Sequence, residues 1–598
     1  MAQPDNSMRR TFFKLVLFFV TLFASSSIAL GASPVTYKIR IDPKDLSGYD
    51  VEMQFITSSR TVRVAMAAHP EYDDRYWRYI ENFTAESRGR TIRVSKPEDP
   101  VWQINGAAGE LIIRYRLHLP TQNQPVRDAW KPFLTANGGM VGDLHSLMYL
   151  VGGESRRAKL TLEMPADWQA ASGLEPTKDR RTFTGSTELM LDSPVLIGTV
   201  REWKFSVAGI PHTMAIWSPT DAKPYDAGPL LDGIKRLAQQ AVKTFGRPPY
   251  PRYTFLFQSG GQAALEHLTS VNLGLSSDLN DLFDELAHEY IHVWNLMDVR
   301  PRERVGLKYR FAEPTGVLWW NEGATIMFAD LLARRAAVGD RRSRVQRLES
   351  IIARYLNSPG YSTLSADLVS RGDSYPLLLG DNGASTHLQG EVLTTMLDLR
   401  IRDATNGRHD VTHVMKLLAA RFDSQYGITN ADIERAIVEV CRCEMKSFFR
   451  DYIYGAKLVD FDRYLGLIAM RADVTRSPAL NPDGKPAVDL RIGPLSPEGE
   501  VILRITNSQS SWGKAGLHTG DRLLSVDDTR VSTWSDFRGW LRKLKVGDVG
   551  RLVVVSNGVT KTVEVPIKPY HVPTVHLVDL PNVTAKRLAL RQAWLNAN

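Results

Sequence analysis

Cysteine is nearly absent: the 598 residues contain two, Cys441 and Cys443. So few exclude a disulfide framework or a cysteine-rich metal site. The pair is only two positions apart, in a segment that reads as a turn between helices. It is expected to remain as inert thiols, because a bridge across one residue would strain the backbone. Also missing are an internal repeat, a low-complexity tract and a Lys/Arg-rich block with interleaved aromatics. The formal charge of +8 is spread over 23% charged residues of both signs, which describes an ordinary solvated surface and gives no reason to expect a nucleic-acid partner. What is present is length, with 43% hydrophobic residues, enough for several packed cores in about three domains.

The chain opens with Arg9, Arg10 and Lys14 ahead of the apolar run LVLFFVTLFASSSIAL and the small residues Gly31, Ala32 and Ser33. Basic, apolar, small is the order of an export signal, so residues 1–32 are expected to be removed and the mature protein to be periplasmic or secreted. The alternative is an uncleaved anchor, since the run is only slightly short of the ~20 residues that span a bilayer. A membrane is a partner only in that case.

From Val35 to Val200 short alternating runs such as VTYKIRI and ELIIRYRLHL are punctuated by Pro, Gly, Asn and Asp, the pattern of a β-rich domain. Apolar residues then recur at three and four in GPLLDGIKRLAQQAVKTFG, and helices dominate to about Leu465. The polar stretch SPALNPDGKPAVD marks another boundary. Beyond it, strand-like runs, Ala515-Gly516-Leu517, Gly520-Asp521 and the helical WSDFRGWLRKL resemble a PDZ domain of the bacterial secreted type. The expected fold is multidomain α+β: a signal segment 1–32, a β-rich domain 33–205, a mostly helical domain 206–473, a sandwich-like or barrel-like PDZ domain 484–570 and a tail 571–598.

Chemistry concentrates in DELAHEYIHVWN. His288 and His292 are four apart, which places both imidazoles on one helical face, one turn from each other, where they can share a metal ion. The helix is well specified. Ser277 or Asp278 can cap it, acidic residues crowd its first turns, and Leu279, Leu282, Phe283 and Leu286 form its apolar stripe. Glu289 sits beside the ion without being needed as a ligand. The bland alternative is a buried helix with two satisfied histidines. Against it stands LWWNEGATIMFADLL, where Glu322 is lodged among Trp319, Trp320, Ile326 and Phe328, company in which a carboxylate is costly unless paired or metal-bound. Glu322 is the natural third ligand, leaving the fourth tetrahedral position to water.

The segment AALEHLTS, with Glu266 22 residues before His288, completes a set. Taken together, LEH, HEYIHVWN, DVRPRE, LWWNEG, LDLRIRD, the earlier DSPVLIG and the PDZ-like end resemble the glycyl aminopeptidase family, a gluzincin branch related to the aminopeptidase N class. The resemblance implies a thermolysin-like catalytic domain with one zinc per chain held by His288, His292 and Glu322, and Glu289 as general base. It implies that Glu266 reads the free amine of a peptide substrate, an anion facing an ammonium. It also implies small N-terminal residues, glycine or alanine, as the ones removed. A salt-bridged structural carboxylate is the alternative for Glu266.

One place departs from the family pattern. Members usually carry Tyr-x-Lys-Gly before LDLRIRD, the tyrosine donating to the oxyanion, whereas this chain reads Thr386-His387-Leu388-Gln389-Gly390. His387 would replace the tyrosine as a donor, and Tyr361 and Tyr375 of the preceding Gly/Pro/Ser-rich segment are other candidates. Two functions compete: a secreted zinc aminopeptidase, or a catalytically weakened, PDZ-based peptide-binding protein retaining a structural zinc site. In either, the PDZ domain would take a peptide C-terminus or loop.

Overall fold

The computed structural model describes residues 33–67, 75–120, 127–153, 155–223, 225–306, 314–339, 342–373, 385–495, 499–505 and 507–597. The expected export segment and Tyr375 lie outside the described residues. No helix among the described residues is long and apolar enough to cross a membrane.

The architecture is multidomain α+β, as the sequence pattern requires. Val35, Tyr37 and Ile39 alternate inward along the strand Val35–Arg40 and are fully buried. That strand lies inside an eight-stranded sheet of spatial order 175–176, 182–186, 157–163, 35–40, 48–57, 109–118, 80–87 and 90–91. Its pairing with Arg157–Glu163 is parallel and the other ladders are antiparallel. Two four-stranded sheets cover the inner face, burying Val64, Ile104 and Met148 against Met53, Ile113 and Leu160. Period-two alternation therefore builds a sheet-on-sheet core.

A five-stranded sheet follows, of order 200–207, 210–217, 253–258, 270–274 and 264–266. The edge strand Ala264–Glu266 runs antiparallel to Ser270–Gly274. Helices α1 (Ala227–Phe245), α2 (Leu279–Ile291), α3 (Thr325–Arg335), α4 (Arg344–Asn357), α5 (Thr386–Ala404), α6 (Val411–Arg421), α7 (Asn430–Cys441) and α8 (Ala585–Leu595) form the second half of this unit. Nearly all of α5 is buried, including Arg402, a burial sustained by ion pairs to Asp398 at 2.9 Å and Asp410 at 3.2 Å.

The PDZ unit has a sheet of order 529–530, 522–526, 549–556 and 559–566, a short ribbon of 492–494 with 503–505, and a helix Trp534–Leu541. Trp512, Leu523, Phe537, Leu541, Val554 and Val565 form its own core. The strands stay open among the described residues, which corrects the barrel-like expectation: a helix, not a closing strand, covers the apolar face.

Two further expectations are corrected. The tail expected at 571–598 is, over its described residues 571–597, a strand and a helix joined to the peptidase unit. His571–Asp579 pairs antiparallel with Met470–Pro478 over nine residues, and α8 then inserts Trp594 into the peptidase core, where Arg344 lies 4.4 Å over its ring. And Cys441 and Cys443 are joined by a disulfide, with Cα atoms 5.2 Å apart. Arg442 between them takes the left-handed conformation, φ 52°, which turns both sulfurs to one side.

Candidate active site

Helix α2 starts where Asp278 accepts a hydrogen bond from the Asn280 amide at 2.8 Å, and it presents His288 and His292 one turn apart. Their Nε2 atoms lie 3.0 Å from each other, and 3.5 and 3.3 Å from Glu322 Oε2. Donors on 2.0–2.1 Å bonds at tetrahedral angles stand about 3.3 Å apart, so the set has the size that zinc requires. The other Glu322 oxygen, Oε1, is buried and meets no hydrogen-bond partner among the described residues. His292 Nδ1 donates to the Asn295 carbonyl at 3.2 Å, which fixes the tautomer that turns Nε2 toward Glu322.

Electrostatics agree with a cation site. Burial, then His292, pushes His288 down to about 4, leaving it a neutral donor. For His292 burial works the same way but the Glu322 charge outweighs it, lifting the ring to about 10. Burial would raise Glu322, yet His292 and hydrogen bonds from the surrounding rings hold it well below the usual carboxylate range. The pocket thus favours an anion that meets positive charge, a role a metal ion fills with both rings neutral.

Two irregular turns place these groups. Trp319–Ala324, which carries Glu322, is a π-type turn, and Val293–Asp298 is kinked out of helical geometry at Asn295 and Leu296. They are clasped by two fully buried asparagines. Asn295 Nδ2 donates to the Trp320 carbonyl at 3.0 Å and to Thr325 Oγ1 at 2.9 Å, and Asn321 Nδ2 donates to Asn295 Oδ1 and the Val299 carbonyl, each at 3.3 Å. Sequence reasoning passed over this clasp, though both asparagines stand inside its motifs, HVWN and WWNE.

Glu289 lines a cleft of about 330 Å³ together with His288 and His387. Burial, reinforced by the charge of Glu266, raises its carboxyl well above the ordinary value. Glu266 ends the edge strand beside α2, and the loop after it is tied to the N-terminal domain, where Asp192 accepts from the Leu268 amide at 2.8 Å. His387, in the first turn of α5, brings Nε2 to 3.3 Å from Glu322 Oε2 and stacks on His288 with centroids 5.8 Å apart. Half of its side chain is exposed. Tyr361 instead packs on Tyr355 in the core and accepts from the Ser385 amide at 3.3 Å. Among the described candidates, the structure brings all six predicted site residues to one region, while Tyr361 is buried against Tyr355 and bonded to the backbone just before His387.

Residues 281–382 match the model described as M61 glycyl aminopeptidase, and residues 36–199 match the N-terminal domain of the same peptidases. Both stretches are those of M61 glycyl aminopeptidases, the family that the sequence resembles. The chain is accordingly a peptidase of the aminopeptidase type, with a PDZ domain matched over residues 488–567. The matched peptidase stretch holds His288, His292 and Glu322 and ends before His387. Among solved structures, an aminopeptidase N family protein from Idiomarina loihiensis has the same fold, with a TM-score of 0.71 at 18% identity over 94% of this chain and 100% of that one. An M1 zinc metallopeptidase from Deinococcus radiodurans overlaps more loosely, with a TM-score of 0.48 at 13% identity over 72% of this chain and 95% of that one. No match is found among curated proteins.

Proposed function

We propose that the protein is an exported aminopeptidase that removes small N-terminal residues, glycine or alanine, from peptides. The observation that carries this reading is the meeting of His288, His292 and Glu322 beside a cleft lined by His288, Glu289 and His387, with Glu266 on the adjoining sheet edge. His288, His292 and Glu322 would hold one zinc per chain. Zinc bound there polarises the scissile carbonyl and lowers the pKa of water to about 7.

The remaining work falls to this chain's own side chains. Glu289, with its raised proton affinity, is suited to take a proton from the attacking water and return it to the leaving amine. Glu266 attracts the substrate ammonium, and a cation there also relieves its repulsion of Glu289. His387, partly exposed and next to Glu322, is suited to donate to the oxyanion as the carbonyl is attacked. The PDZ domain would hold a peptide end or loop.

The second reading, a catalytically weakened protein that retains zinc and binds peptides through its PDZ domain, draws on one observation, the histidine at 387. Purified protein is tested on glycyl and alanyl peptides, free and N-acetylated, beside Glu289→Gln. Cleavage of free peptides only, lost in the variant, is the expected result. Equal cleavage of acetylated peptides would make the protein an endopeptidase, and no cleavage by the zinc-loaded wild type leaves the binding reading.

A further inference from the structure

The cleft runs on from the reacting centre into a pocket walled by α2, α3, α4 and α5 and lined by Glu285, Ile326, Ala329, Asp330 and Arg347 as well as Glu289. Glu266 does not line it. A peptide whose amine lies at Glu266 and whose carbonyl lies at Glu289 must therefore send the residue that follows the scissile bond into this pocket.

The charged groups of the pocket differ in one respect. Arg347 is engaged, its Nε and Nη2 donating to Glu391 Oε1 at 3.0 and 2.7 Å. Asp330 is met by Arg334 at 2.8 Å and Arg344 at 3.6 Å. Glu285 is half-buried, the charge of Asp281 adds to its burial in raising its proton affinity, and its own charge raises that of Glu289 in turn. Among the described residues no cation or hydrogen-bond donor reaches the Glu285 carboxylate. A partly desolvated anion without a counter-ion is unfavourable in the empty cleft and becomes favourable when the substrate supplies the cation. Glu285 also stands four residues before Glu289, on the same helical face and about 6 Å along it, within reach of a lysine side chain attached to the leaving amine.

We infer that Glu285 selects a cationic side chain on the leaving side, so that the preferred substrates carry lysine or arginine immediately after the residue removed. This deepens the aminopeptidase reading and rests on it. The lysine ammonium or arginine guanidinium pairs with Glu285 while Glu266 holds the amino terminus, and the peptide is gripped by charge on both sides of the scissile bond.

The test compares Gly-Lys, Gly-Leu and Gly-Glu peptides of otherwise equal sequence on the zinc-loaded full chain, on Glu285→Gln and on Glu285→Lys. Turnover is read as ratios of kcat/KM, and binding of the same peptides to Glu289→Gln is read by calorimetry. A half-buried charge pair is worth a factor of about ten, so wild type should favour Gly-Lys over Gly-Glu by at least that much. The ratio should approach one in Glu285→Gln and invert in Glu285→Lys, with zinc content unchanged. Equal wild-type ratios would overturn the inference. So would a Glu285→Gln effect that is the same for all three peptides, because Glu285 would then act only through Glu289. Absent turnover with lysine-selective binding intact would overturn the peptidase reading and leave this one standing.

Discussion

Gly390 of α5 rests directly on Gly323 of the turn that carries Glu322: a Cβ added to either would overlap backbone of the other's segment. This close crossing brings His387, one turn earlier on α5, against Glu322. Gly390→Ala should force the two segments apart, costing about 1–3 kcal/mol of stability by overpacking and lowering activity further by moving His387. Denaturant unfolding beside peptide turnover checks both. An alanine variant of native stability and activity would show that the segments can shift at no cost.

Zinc should be present at one per chain and depend on His288, His292 and Glu322. Replacing His292 with alanine should remove most of it, since the set has three members. Asn295→Ala leaves all three ligands but frees the turn that orients them, and losses of 10–100-fold in zinc affinity are typical for such supporting groups. Elemental analysis and chelator competition measure the two effects, and full zinc occupancy of His292→Ala would remove the ligand assignment.

His387 makes a sharper case, because its Nε2 is close enough to belong to a ligand group with His288 and Glu322. If it donates to the oxyanion, His387→Ala should lower kcat by about 100- to 1000-fold with KM and zinc content nearly unchanged. His387→Tyr should restore activity. Loss of zinc from His387→Ala would instead make it a fourth ligand, and a variant as active as wild type would make it a bystander.

The PDZ unit is predicted to be separable. Residues 487–570 should fold alone, and deletion of 481–568 with a short turn in their place should leave the peptidase folded, because the paired strands Met470–Pro478 and His571–Asp579 then close as a hairpin. Truncation at Asp473 is different. It removes Trp594, which is 1% exposed, and loss of such a side chain costs about 3–5 kcal/mol. Thermal unfolding of the three chains separates these outcomes.

Asp298 supplies a pH signature away from the ligands. Burial, with the nearby charge of Asp423, raises it from 3.8 to about 6 against the opposing pull of Arg300. Between these values the folded state binds more protons than the unfolded state, so this group's contribution falls as pH rises from about 4 to 6 and stays unfavourable above. Asp298→Asn should therefore stabilise at pH 7, by about 1 kcal/mol once partial exposure is allowed for, and give no gain below about pH 4. A constant difference across that range would contradict the assignment.

Much of this molecule is legible in the sequence because local periodicity carries it. The four-residue spacing of His288 and His292 on an amphipathic helix, and the inward alternation of Val35, Tyr37 and Ile39, need no tertiary information. Glu322 was legible through the cost of a carboxylate among tryptophans. What escaped depends on contacts between distant segments or on a rare backbone state. Asn295 and Asn321 are 26 residues apart and meet through a kink at Asn295 and a π turn at Asn321. The bridge between Cys441 and Cys443 requires a left-handed arginine, which no spacing rule announces. Trp594 gains a partner only after the chain has returned from the PDZ unit.

That return has a polymer-physical consequence. The ends of the paired strands at Pro478 and His571 are joined by the whole PDZ unit, and while it is folded they are held near each other. Were it to unfold, the same residues would be tethered by a flexible loop of roughly 90 residues, whose closure costs about 4 kcal/mol by the logarithmic length law. The folded module thus works as a clip on a stem, so any ligand that stabilises it also fastens the last strand and helix onto the peptidase without touching them.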